Sequence, residues 1–93
     1  MLFLLNGTMS PGVKREQFID YMKQPMDPEE WELVKEGRIS HLLFKTGEIP
    51  GMLIVLDAEN KAAAEALAAN RPIVKKGFIN FVVEPINRFP HFE

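Results

Sequence analysis

Apolar residues fall in short runs set off by proline, glycine and charged clusters. Leu2-Phe3-Leu4-Leu5 opens the chain, and Met52-Leu53-Ile54-Val55-Leu56 and Phe78-Ile79-Asn80-Phe81-Val82-Val83 carry the same character further on. Runs of this length, bounded by turn residues, read as strands. The first covers 2–8 and ends at Asn6-Gly7-Thr8. Helical spacing follows: Val13, Phe18, Ile19 and Met22 share a face, while Lys14, Arg15, Glu16, Asp20 and Lys23 fall mainly elsewhere. Ser10 is the expected N-cap and Pro11 the first helical residue. Pro25 interrupts the pattern, because proline lacks the N–H and biases Gln24 out of the α region. Asp27-Pro28-Glu29-Glu30 restarts it with a cap, a proline at N1 and a glutamate at N3. Trp31 and Val34 form the inner stripe of this second piece, and Gly37 is the left-handed stop. The spacing predicts one helical region over 11–36, broken near Pro25.

Two further strands, 38–45 and 52–56, flank Thr46-Gly47-Glu48-Ile49-Pro50-Gly51, a stretch dense in turn residues. A second helix runs from Lys61 to Ala69, capped by Asn60 or Asp57, with Ala63, Leu67 and Ala66 able to lie flat on a sheet. Asn70-Arg71-Pro72 ends it. The last strand covers about 77–84, and Pro85 opens a short tail. The order β-α-β-β-α-β is that of a ferredoxin-like α+β domain spanning 1–93. With strands numbered along the chain, the expected antiparallel sheet order is 4-1-3-2, with the helices on one face.

Parity sorts the two faces. Phe3 and Leu5, and Ile79, Phe81 and Val83, are wholly apolar sets and should meet the helices, joined by Leu42 and Phe44. The opposite sets are Leu2, Leu4, Asn6, Thr8; Ile39, His41, Leu43, Lys45; and Phe78, Asn80, Val82, Glu84. These remain apolar enough that water is a poor neighbour, since a solvated sheet face alternates cleanly. No element is left to cover them, so a second copy packed sheet to sheet is expected: a homodimer, with higher homo-oligomers possible. An apolar space between sheets with a few polar groups suits a small-molecule ligand.

Composition narrows the classes. Apolar residues at 46% and charged ones at 26% describe an ordinary globular chain of 93 residues. A formal charge of −2 with scattered Lys and Arg gives no footprint for nucleic acid. Without cysteine there are no disulfides, thiol nucleophiles or thiolate metal sites. Met1–Leu5 is too short for a signal peptide, and no run approaches the roughly 20 apolar residues of a membrane span. The expectation is a soluble cytoplasmic protein with no membrane or nucleic-acid partner.

Met1-Leu2-Phe3 followed by Pro11, Gly37-Arg38-Ile39-Ser40-His41-Leu42, Gly47, and Val83-Glu84-Pro85-Ile86-Asn87-Arg88-Phe89-Pro90 resemble muconolactone isomerases. More broadly the chain is similar to the dimeric α+β barrel superfamily that includes the YciI-like proteins. The resemblance implies ferredoxin-like subunits whose sheets pair into a barrel. It also implies a cofactor-free isomerase-type reaction, by proton transfer on a small lactone or aromatic-derived acid held between the sheets. His41 and Arg88 line up with the motif residues. After the turn glycine, however, the isomerases resemble Gly-His-Tyr-x-Asn, and this chain has Gly47-Glu48-Ile49-Pro50-Gly51.

Candidate chemistry follows from the residue types. His41 suits a general acid or base near neutral pH, or is simply a strand histidine bonded to a neighbour. Glu84 on the same face can act as a carboxylate base, or be a solvated strand-end residue. In the expected order their strands are opposite edges, about 14 Å apart at about 4.8 Å per strand, so the two would meet only between subunits. Asn6, Thr8 and Asn80 can orient a substrate carbonyl or carboxylate, and Arg88 can bind an anion bidentately or pin the tail across a dimer. His41 and His91 are too isolated to make a metal site. Two other readings share the fold: a non-catalytic ligand-binding or assembly module, and a superfamily monooxygenase.

Overall fold

In the computed structural model, which describes residues 1–88, eight elements follow one another. They are β1 (Leu2–Met9), α1 (Arg15–Met22), α2 (Pro28–Lys35), β2 (Ile39–Lys45), β3 (Gly51–Asp57), α3 (Lys61–Ala69), α4 (Pro72–Lys75) and β4 (Ile79–Ile86). The strands form one antiparallel sheet in the order β2-β3-β1-β4, which is the expected order read from the other edge. Phe3, Leu5, Met52, Ile54, Leu56, Ile79 and Val83 point to one face. There they are buried with Phe18 of α1, Leu33 of α2, Ala64 and Ala68 of α3 and Ile73 of α4. Each large side chain buried this way contributes about 1.5–3 kcal/mol, so this single layer of contacts carries most of the stability. Among the described residues, no helix is long and apolar enough to cross a membrane.

Several ends are set as their chemistry dictates. Asp27 caps α2, its carboxylate accepting from Glu30 N at 3.3 Å, and Asn60 caps α3 by accepting from Ala63 N at 2.8 Å. Gly37 adopts φ 77°, which lets Gly37 N and Arg38 N turn back onto the Val34 and Leu33 carbonyls, both at 3.0 Å. The extended N-terminal strand is tied down as Met1 N meets Asp57 Oδ1 at 2.9 Å.

Other positions depart from expectation. The first helical region breaks around Pro25 as expected, into α1 and α2, but it starts later than expected. Ser10 and Pro11 form a turn ahead of α1, whose N-cap is Lys14, held by Gln17 reaching back to its N–H at 2.9 Å. Leu33 is the buried residue of α2, whereas Trp31 faces outward at 48% exposure with Lys35 beside its ring. On α3, Ala64 and Ala68 are buried and Ala66 is exposed. Pro72 starts a further short helix, α4, although Asn70-Arg71-Pro72 reads locally as a helix end. β4 runs through Pro85, which an edge strand tolerates. Phe78 precedes β4 and packs tilted against Tyr21 with ring centroids 5.3 Å apart, on the helix side. Finally, Ile39 pairs with Leu56 and His41 with Val55, so Ser40 is an extra residue in β2. That bulge turns Ile39 into the core and leaves His41 on the opposite face.

Gly7 sits opposite Phe81 in the sheet, and a Cβ there would lie 2.6 Å from the Phe81 ring and 2.7 Å from Ile79. Gly7→Ala is expected to cost about 1–3 kcal/mol by overpacking, measured by urea denaturation.

Candidate functional site

On the face away from the helices, strand register arranges the side chains in cross-strand rows. One row is Lys45, Gly51, Thr8, Asn80; the next is Leu43, Leu53, Asn6, Val82; the third is His41, Val55, Leu4, Glu84. His41 and Glu84 therefore share a row but stand on opposite edges, separated by two strands. Both are exposed, and His41 Nδ1 lies 3.0 Å from Ser40 Oγ. Asn6 Oδ1 accepts from Lys45 Nζ at 2.6 Å, a reach across β3 made possible by the bare Gly51 between them. Thr8 and Asn80 are adjacent and exposed. Arg88 lies beyond β4, its backbone N–H donating to Asn87 Oδ1 at 2.8 Å. Within one chain this face is an open surface. Leu43 is 50% and Val82 60% exposed on it. His91 lies outside the described residues.

A partly open pocket lies on the other side. A cavity of about 640 Å³ opens between the sheet and the broken helical layer. Its floor is Leu42, Phe44, Met52, Ile54 and Phe81. Tyr21, Met22 and the Gln24–Pro28 connection form one wall, and Pro72, Ile73 and Lys76 form another. Why it exists is local. Gln24 N ends α1 on the Tyr21 carbonyl at 3.1 Å, Pro25 cannot continue, and α2 starts afresh at Asp27. The volume a continuous helix would fill stays open. Phe44, 54% exposed although it points to the helix side, stands at the β2 edge of this opening.

One carboxyl lines the cavity deep enough to be altered by it. Burial pushes Glu30 above the ordinary carboxylate range; Arg71 pulls it partly back, and Asp27 adds to the rise. The Tyr21 phenol is likewise raised, first by burial and then by Glu30 and Asp27. Lys76 Nζ lies 5.1 Å from the centre of the Tyr21 ring. An apolar pocket of this size with a few convergent polar groups is the usual form of a small-molecule site. A carboxyl held toward its neutral form can donate a proton and take one back. Among the described residues, no group of three or more His, Asp or Glu side chains is placed to hold a metal ion.

The fold is shared with a solved dehydrochlorinase. The structure of 5-chloro-2-hydroxyhydroquinone dehydrochlorinase (TftG) from Burkholderia phenoliruptrix AC1100, in complex with 2,5-dihydroxybenzoquinone, superposes with a TM-score of 0.67. The match covers 98% of each chain at 20% sequence identity. No protein-family model matches this sequence, and no curated protein matches it.

None of His41, Glu84, Asn6, Thr8, Asn80 and Arg88 lines the cavity. The sequence pattern alone does not mark Glu30, Tyr21, Lys76 or the buried Arg71 as site residues. Asp27-Pro28-Glu29-Glu30 was legible as a helix start, and its first-turn glutamates beside a proline break were the available signal.

Glu30 also gives the folding equilibrium a pH dependence. Its folded pKa is raised above the unfolded value, so the folded state binds the extra proton. The stability this group contributes is fully present below the ordinary carboxylate range and is lost as pH rises through the raised pKa. Glu30→Gln is expected to flatten that fall in urea-denaturation midpoints measured across the window.

Proposed function

We propose that this protein is an enzyme of small-molecule metabolism. It moves a proton on a small lactone, enol or aromatic-derived substrate held in the helix-side cavity, with Glu30 as the general acid–base. The observation that carries this reading is a half-buried carboxyl, its pKa raised by that burial, beside an apolar floor of suitable size. Tyr21 and Lys76 at the mouth are donors able to orient a substrate oxygen. The chemistry asks only for acid–base groups, so no cofactor is needed. The shared fold with an enzyme that acts on a chlorinated hydroxyhydroquinone supports a substrate of that kind. Isomerisation and elimination both begin with proton transfer, and the isomerase-type outcome is the one the muconolactone isomerase resemblance favours.

A second reading is favoured by the shared row of His41 and Glu84. A second copy packed on the open sheet face, with its two-fold axis along the strands, would lay each His41 over the partner copy's Glu84. Leu2, Leu4, Leu43, Leu53, Val55, Val82 and Ile86 would become the buried interface of a homodimer. Such a pair would form a second acid–base centre between the sheets.

Two measurements separate the readings. With turnover followed over a panel of lactones, hydroxyquinols and 2,5-dihydroxybenzoquinone, Glu30→Gln is expected to lose about 100-fold or more, while His41→Ala stays within a few-fold. The reverse pattern moves the chemistry to the open face. In light scattering the chain should have twice its monomer mass at micromolar concentration, and Val82→Glu should halve it; a wild-type monomer there sinks the paired-sheet arrangement.

A further inference from the structure

Arg71 serves three helices at once. Its carbonyl starts α4, accepting from Val74 N and Lys75 N, both at 3.0 Å. Its Nε donates to the Leu67 carbonyl near the end of α3 at 3.1 Å, and its Nη2 donates to Glu29 Oε2 on α2 at 3.3 Å. Its Nη1 lies 3.9 Å from Asp27 Oδ2 and has no hydrogen-bond partner among the described residues. The side chain is only 4% exposed. A guanidinium cannot shed its charge, so its burial requires counter-charge close by. That counter-charge comes from Asp27 and Glu29 at the start of α2, where Asp27, Pro28 and Glu30 line the cavity; Pro72, Ile73 and Lys76, following Arg71, line it from the other side.

We propose that Arg71 is the positioning residue of the cavity: its guanidinium clasps the start of α2 to the α3–α4 corner and so holds Glu30 over the apolar floor. The proposal rests on the reading of Glu30 as the acid–base group of that cavity. It has an electrostatic consequence. The charged and titratable groups around Glu30 are Asp27 and Glu29 on its own segment, Tyr21 on α1, and Arg71 and Lys76 beside α4. Arg71 is the buried cation of this set, and half of its fork is already given to Glu29. The Nη1 donor is left over: Asp27 would need to close by less than 1 Å to reach a 3 Å hydrogen bond. The clasp can therefore tighten without rebuilding the fold.

The test uses the full chain without ligand or turnover. Carboxyl-carbon NMR follows the Glu30 midpoint in wild type, Arg71→Gln and Arg71→Lys, and amide hydrogen exchange follows Glu30 and Trp31. Removing the charge with Arg71→Gln should move the Glu30 midpoint to higher pH. Arg71→Lys should hold the midpoint near wild type while the Glu30 and Trp31 amides exchange faster, because one ammonium cannot span Leu67, Glu29 and Asp27 together. Should Arg71→Gln fail to fold, the exchange rates of Arg71→Lys still decide. Unchanged exchange in that variant, or an unmoved midpoint in folded Arg71→Gln, overturns the proposal. Neither readout depends on catalysis, so a failure here is distinct from an absence of activity in Glu30→Gln.

Discussion

A proline in the middle of the helical layer is the constraint on which the rest of this structure depends. The sheet is wide enough to need a continuous cover over β2 and β3. Pro25 cannot donate to the turn before it and pushes Gln24 away from helix. The helix ends at Met22 and begins again at Pro28, so the cover arrives in two short pieces. Short helices gain little from their own hydrogen bonds and rely on packing. α1 is anchored by Phe18, α2 by Leu33, and the connection between them arches over Leu42, Phe44, Met52 and Ile54. A cavity is the direct result, and the polar end of α2 is delivered to its wall.

The two faces of the sheet then have different physics. On the helix side, partial burial acts on a carboxyl and a phenol, and a buried guanidinium supplies the opposing charge. On the open side, apolar side chains share the face with Asn6, Lys45, His41 and Glu84, and within one chain these groups remain near water. Desolvation is what separates a reactive acid from a solvated one. That contrast is why the functional reading centres on Glu30, and why the open-face pair requires a second copy.

Much of the fold was legible because local chemistry and tertiary packing agree. The Asp27 and Asn60 caps, the Gly37 stop, and the apolar parities of β1 and β4 each point the same way at every level. Departures came where packing overrode local preference. Ser10-Pro11 is a good helix start in isolation, yet the chain spends those residues on a turn and begins α1 at Arg15. Trp31 is apolar by type, but the rotation of α2 buries Leu33 instead. The Ser40 bulge leaves no mark in the residue pattern, and it alone decides that Ile39 and His41 face opposite ways. The candidate site was harder still. Glu30 lies in α2 and Arg71 between α3 and α4, far apart in sequence and ordinary in local context; only the packing of α2 against the α3–α4 corner gives either one its environment.

The central claim is that a small ligand enters the helix-side cavity and not the open sheet face. Methyl NMR tests it most directly, because the two faces carry separate reporters. Met22, Met26, Met52 and Ile54 line the cavity, while Leu4, Leu53, Val55 and Val82 lie on the open face. Titration with resorcinol as a phenolic probe should shift the first set and leave the second in place. Shifts confined to Leu4, Leu53, Val55 and Val82 would contradict the account.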